Sequence, residues 1–149
     1  MARSATILLV EDDPNDALVV RRAAQKTLLG IPLMLVANGE EAIHYLKGEG
    51  AYADRRAYPF PDIVLLDLDM PLLNGFEVLR WMREQPRFKR LPVIVLTGSI
   101  EDHDANLAYD AGANSYIVKP TDYDQLVETM RNLGDFWLSG AMLPEAPPP

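Results

Sequence analysis

Four short apolar runs punctuate the chain: TILLV at 6–10, DIVLL at 62–66, VIVL at 93–96 and YIV at 116–118, with a weaker fifth, LMLV, at 33–36. They do not alternate polar with apolar, and they are rich in Ile and Val. That pattern predicts strands covered on both faces, as in a parallel sheet.

Between the runs lie segments of helical length. PNDALVVRRAAQKTLLG (14–30) opens on a proline suited to a first helical turn and ends at Gly30. NGEEAIHYLKGEG (38–50) puts Ile43 and Leu46 on one face and stops at Gly48, whereas GFEVLRWMREQP (75–86) repeats Phe76, Leu79 and Met82 or Arg83 and stops before Pro86. EDHDANLAYDAGA (101–113) is a shorter helix, and TDYDQLVETMRNLGDFWLSG (121–140) spaces Leu126, Met130, Leu133 and Trp137 as a helical stripe. Strands alternating with helices five times predict an α/β fold: a flavodoxin-like (βα)5 doubly wound parallel sheet in the order 2-1-3-4-5. The connection GEGAYADRRAYPFP (48–61) is long for such a fold and carries no obvious chemistry; PEAPPP (144–149) is too proline-rich to fold and reads as a frayed tail.

At 149 residues the chain has room for one domain. A net charge of -8 argues against nucleic acid and anionic membranes, both of which select clustered Lys and Arg. Arg21-Arg22 and Arg55-Arg56 read as solvated surface pairs. There is no cysteine, hence no disulfide or thiolate chemistry. The N-terminal apolar run is too short for a signal segment, and no run of about 18 apolar residues offers a membrane span. A cytoplasmic location is expected.

In a parallel sheet the strand C-termini share one edge, and ligands bind where the strand order reverses. The residues just past the strands are Glu11 and Asp12, Ala37, Asp67, Thr97 and Lys119. Strands one and three flank the reversal, so Glu11, Asp12 and Asp67 should converge. Crowded carboxylates are relieved by a raised pKa or a bound cation, and an all-oxygen site with open water positions suits Mg2+. Lys119 and Thr97 would add a cation and a hydroxyl for a phosphoryl group's oxygens. Nucleophilic carboxylate, dication and lysine are what acyl phosphate formation needs, with Asp67 the candidate nucleophile.

These motifs together resemble the receiver domain of two-component response regulators: ILLVEDDP with Glu11 and Asp12 as the acid pair, LLDLDMPLLNG with Asp67, VLTGS with Thr97, and SYIVKP with Tyr116 and Lys119. The resemblance runs from about Thr6 to Leu138. It implies Asp67 as phosphoacceptor, Mg2+ held by Glu11, Asp12, Asp67 and the backbone carbonyl of Asp69, and Thr97 and Tyr116 as switch residues. The Asp69 side chain would face the arriving phosphoryl group. LLDLDM in isolation equally fits haloacid-dehalogenase-type phosphatases, in which the second aspartate is an acid-base group, although there the motif sits on the first strand and metal-binding acids follow it. Asp13 reads as a cap or turn residue, and His44 and His103 have no partner pattern and are assigned no role.

More narrowly, GANSYIVKP, the 48–61 connection and FWLSGAMLP (136–144) are similar to the small response regulators that partner bacterial phytochromes. That similarity implies a phytochrome-type sensor histidine kinase as phosphodonor and a homodimer whose C-terminal arm, with Phe136, Trp137, Leu138 and Leu143, packs on a second subunit. The expected division is a receiver over 1–138 and an arm and tail over 139–149, with no output domain. A receiver acting as phosphate sink would carry the same residues.

Overall fold

The computed structural model describes residues 5–145 and 147; residues 1–4 and the end of the proline-rich tail at 146 and 148–149 lie outside the described residues. Five strands, β1 (Ile7–Val10), β2 (Leu33–Val36), β3 (Ile63–Leu66), β4 (Val93–Thr97) and β5 (Ser115–Val118), pair in parallel in the order β2-β1-β3-β4-β5. Helices α1 (Pro14–Thr27), α2 (Gly39–Lys47), α3 (Gly75–Glu84), α4 (Asp102–Ala111) and α5 (Tyr123–Leu133) connect and follow them.

Alternation along each strand splits the core in two. Leu8, Val10, Val64 and Leu66 face α2 and α3, packing with Ala42, Tyr45, Leu79 and Met82. Ile7, Leu9, Ile63, Leu65, Ile94 and Leu96 face α1 and α5, against Val20, Leu28, Leu126 and Met130. Each fully buried Leu or Ile contributes roughly 1.5–3 kcal/mol of transfer free energy, so the central strands β1, β3 and β4 anchor the fold. The outer strands differ from the two-sided burial expected: Leu35 on β2 and Val118 on β5 are exposed, because at the margins of the sheet the helices packed on its faces no longer cover every side chain.

Helix ends follow their capping residues. Asp13 caps α1 by accepting the Asn15 and Asp16 amides; Asn74 and Glu77 form a reciprocal capping box at α3; Gly48 closes α2 in the left-handed conformation. On α2 the buried face is Ala42, Tyr45 and Leu46, with Ile43 only half-buried.

Two expectations from the sequence differ from the structure. Arg55 is not solvated: its guanidinium donates to the Tyr45, Leu46 and Tyr58 carbonyls and lies over the Tyr45 and Phe60 rings, 5.7 Å from each centroid. It stitches the long 48–61 connection to the end of α2, beneath a cluster of Tyr45, Tyr52 and Tyr58. The last helix does not run regularly to 140; after α5 it widens into a π-helical segment, Gly134–Gly140, in which Gly134 packs so closely on Leu28 of α1 that a Cβ would collide. Beside these two corrections, Trp137, Leu138 and Leu143 of the arm are partly buried against this chain's own α1/α5-side core, while Phe136 (61% exposed) and Met142 are exposed.

Candidate functional site

The C-terminal edge of the sheet is assembled by the strand ladders themselves. The Glu11 amide donates to the Val36 carbonyl at 3.1 Å and the Asp67 amide to that of Val10, also at 3.1 Å, extending β1 and β3 one residue past their last paired positions. Lys119 is placed likewise, its amide donating to the Thr97 carbonyl at 2.6 Å. The result is a cleft of about 720 Å³ lined by Asp12, Asp13, Asp16, Asp67, Asp69, Thr97, Ser99 and Lys119.

Within it Glu11, Asp12 and Asp67 each offer a carboxylate oxygen within 4.8 Å of the others. Glu11 and Asp67 are buried, and Asp12 is half-buried. Burial, followed by the adjacent Asp67 carboxyl, pushes the Glu11 carboxyl up to about 8, against the opposing pull of Lys119. Its Oε1 accepts from Lys119 Nζ at 2.6 Å, while its Oε2 is buried with no hydrogen-bond partner among the described residues. A buried acceptor of this kind beside two further carboxylates suits a hard dication.

Lys119 Nζ also donates to Asp16 Oδ2 at 3.0 Å. Burial alone would lower the lysine's pKa, but the hydrogen bonds it donates to Glu11 and Asp16 raise it, so it stays an ammonium. Asp16 escaped the sequence reading because an acid in a first helical turn is ordinary; only its place three residues past the Asp13 cap, with α1 lying beside β1's end, was available as a signal.

Asp69 is exposed, and its amide donates to Asp67 Oδ1 at 3.3 Å, steadying the carboxylate. The loop that follows places Leu72 at φ 65°, an uncommon conformation for a branched residue, and leaves it exposed. Gly75 opens α3 against the backbone of Asp67 and Leu68, where a Cβ would stand 2.7 Å from the Leu68 Cα. Thr97 is buried at the end of β4. Tyr116, half-buried against Leu68, Val95 and Ala108, donates its hydroxyl to the Ser99 carbonyl at 2.9 Å, and its own amide donates to the Tyr109 hydroxyl at 3.1 Å. The structure thus gathers Glu11, Asp12, Asp67, Asp69, Thr97 and Lys119 around one cleft, with Tyr116 one layer behind through Ser99. Phe136, Trp137, Leu138 and Leu143 belong to the far end of α5 and the arm. His44 and His103 are exposed helix residues.

An open parallel sheet with clustered carboxylates and a lysine at its switch point defines a phosphoryl-handling α/β protein. The chain matches the response regulator receiver domain over residues 7–131 and belongs to that family. This separates the two readings of the Asp-x-Asp motif in favour of the signalling protein. The chain is 33% identical to response regulator Rcp1 of Synechocystis sp. over 140 residues, 94% of this chain and 93% of the relative. It is 37% identical to the phosphorylated cyanobacterial phytochrome response regulator RcpA, with a TM-score of 0.88 over 96% of this chain and 100% of that one. It is likewise 37% identical to RPA3017, a response regulator in red light signalling of R. palustris, with a TM-score of 0.90 over 95% and 99%. Rcp1 is known also in a Mn2+-bound form, 32% identical, with a TM-score of 0.83 over 95% of this chain and 99% of that one.

Proposed function

We propose that this chain accepts a phosphoryl group on Asp67 from the phosphohistidine of a phytochrome-type sensor histidine kinase and relays it as a change of protein contacts. The convergence of Glu11, Asp12 and Asp67 within 4.8 Å beside the Lys119 ammonium carries this reading. The relatives active with phytochromes and in red light signalling support the choice of kinase class.

Glu11, Asp12, Asp67 and the Asp69 carbonyl would hold Mg2+, and the unpaired Glu11 Oε2 favours that assignment. Bound there, the dication supplies neutralisation of charge on the phosphoryl oxygens. The Asp67 carboxylate attacks the phosphorus, the histidine nitrogen leaves, and Lys119 offers its ammonium to a phosphoryl oxygen. Thr97 offers its hydroxyl to another. Movement of Thr97 and of the β4–α4 loop reaches Tyr116 through Ser99, so the α4, β5 and α5 face reads the change. Hydrolysis of the acyl phosphate in the same cleft resets it.

Residues 1–138 form the receiver unit in this reading and 139–149 its arm. Exposed Leu18 and Val19, on α1 beside the cleft, offer the kinase an apolar docking strip. Phe136 and Met142 offer a second copy of the chain a homodimer seam. A phosphohistidine donor of this class places the chain in the cytoplasm.

The test is phosphotransfer from a labelled, autophosphorylated phytochrome-type histidine kinase. Label passes to the wild type within the mixing time of seconds to minutes and fails to pass to Asp67→Asn. Equal labelling of both chains contradicts the assignment.

A further inference from the structure

Among the described residues, Lys119 Nζ donates to Glu11 and Asp16 and to no oxygen of Asp67. The two partners differ in kind. Glu11 belongs to the carboxylate cluster that suits a dication, and its side chain is 1% exposed; Asp16 lies outside that cluster on α1, with its side chain 48% exposed. An acid at this third helical position commonly folds back on the capping residue's amide. Here its carboxylate reaches across the cleft wall to a lysine 103 positions away.

The ammonium is therefore split between a group that a cation would claim and one that it would not. Once Glu11 turns to a cation, Asp16 remains to hold Lys119 at the α1 side. A phosphoryl oxygen on Asp67 must then draw the lysine off Asp16.

We propose that Asp16 is a positioning residue for phosphoryl transfer: its carboxylate holds the Lys119 ammonium at the α1 wall of the cleft, and the lysine reaches a phosphoryl group on Asp67 by giving up Asp16. This rests on the reading of Asp67 as acceptor. Asp16 sets the readiness of the lysine without touching the reacting atoms. The ion pair is half-exposed, so its release changes the transfer rate by a modest factor, while its loss leaves the fold intact.

The experiment follows adduct formation on Asp67 at saturating Mg2+ with acetyl phosphate as donor, in wild type, Asp16→Asn and Asp16→Glu, each with Lys119 or with Lys119→Ala. The expected result is a rise of roughly two- to fivefold in Asp16→Asn, the range spanned by such ion pairs, restoration of the wild-type rate in Asp16→Glu, and no effect of Asp16→Asn when Lys119 is alanine. An unchanged rate in Asp16→Asn, or the same factor in both lysine backgrounds, overturns the proposal. A second measurement needs no phosphodonor: in Asp16→Asn the nitrogen-15 signal of the Lys119 ammonium should show faster hydrogen exchange with water. If the wild type takes up no phosphoryl group, the acceptor reading fails, and this signal decides Asp16 alone. An unchanged exchange rate overturns it.

Discussion

Glu11 carries the opposing demands of the cleft. Its carboxyl is held at about 8 in the folded chain, against 4.5 when free, so between these values the folded state binds more protons than the unfolded one. Metal-free stability should therefore fall as pH rises from about 4.5 to 8 and level off above, while Lys119, raised above 10.5, stays charged throughout. Urea denaturation in chelator checks this: Glu11→Gln should remove most of the slope and be more stable than wild type at pH 8 by roughly 1–3 kcal/mol, the scale of an uncompensated buried polar group. Parallel profiles for the two chains contradict it. At Asp69 the side chain is free and exposed where the phosphoryl group would arrive, so Asp69→Asn should shift the lifetime of the adduct while leaving its formation on Asp67 intact; identical decay curves contradict that role. Glu11, Asp12, Asp67, Thr97 and Lys119 were legible from sequence because each ends a strand or lies within two residues of its end, and strand ends in a parallel sheet share an edge. Asp16 and Arg55 were not, since a charged residue in a helix or loop looks solvated until its neighbours are placed.

Elements tell a similar story. Strand positions follow from apolar runs rich in Ile, Leu and Val, their order from the fivefold alternation with helices, and two helix ends from Asp13 and Gly48. What the periodicity could not show is how helices are tied at their far ends. Arg83 of α3 donates to the carbonyls of Phe88, Lys89, Leu91 and Gly112 and to Asn114 Oδ1, joining α3, the loop before β4 and the end of α4. Arg83→Ala should cost roughly 1.5–3 kcal/mol in urea denaturation, since a charged donor is lost from several part-buried carbonyls at once; a loss below about 0.5 kcal/mol, typical of a surface position, contradicts that role. The opposite end of α3 is steric. Gly75→Ala should cost roughly 1–3 kcal/mol by overpacking against Leu68 and also slow phosphorylation, because relief requires the Asp67 loop to move. The π-helical segment after Leu133 was missed because its apolar spacing continues that of α5, and the close approach of Gly134 to Leu28 depends on tertiary packing.

On the scale of the whole molecule, the chain presents two separated surfaces: the acid cleft at one sheet edge, and the arm that closes over the α1/α5 side of its own core. An arm already seated on its own chain leaves Phe136, whose ring meets that of Trp137 edge-on, and Met142 as its exposed apolar groups toward a second copy. Phe136→Asp should convert a dimer to a monomer in size-exclusion chromatography with little change in melting temperature, whereas Trp137→Ala should lower stability because Trp137 packs on the core. A Phe136→Asp chain that elutes as a dimer contradicts that seam. The central claim, that the cleft makes one acyl phosphate at Asp67, is tested most directly by intact mass after incubation with Mg2+ and acetyl phosphate. A single phosphoryl adduct is expected on the wild type and none on Asp67→Asn; an adduct of equal yield on both chains, or continuous release of phosphate without any adduct, is incompatible with a phosphoacceptor at Asp67.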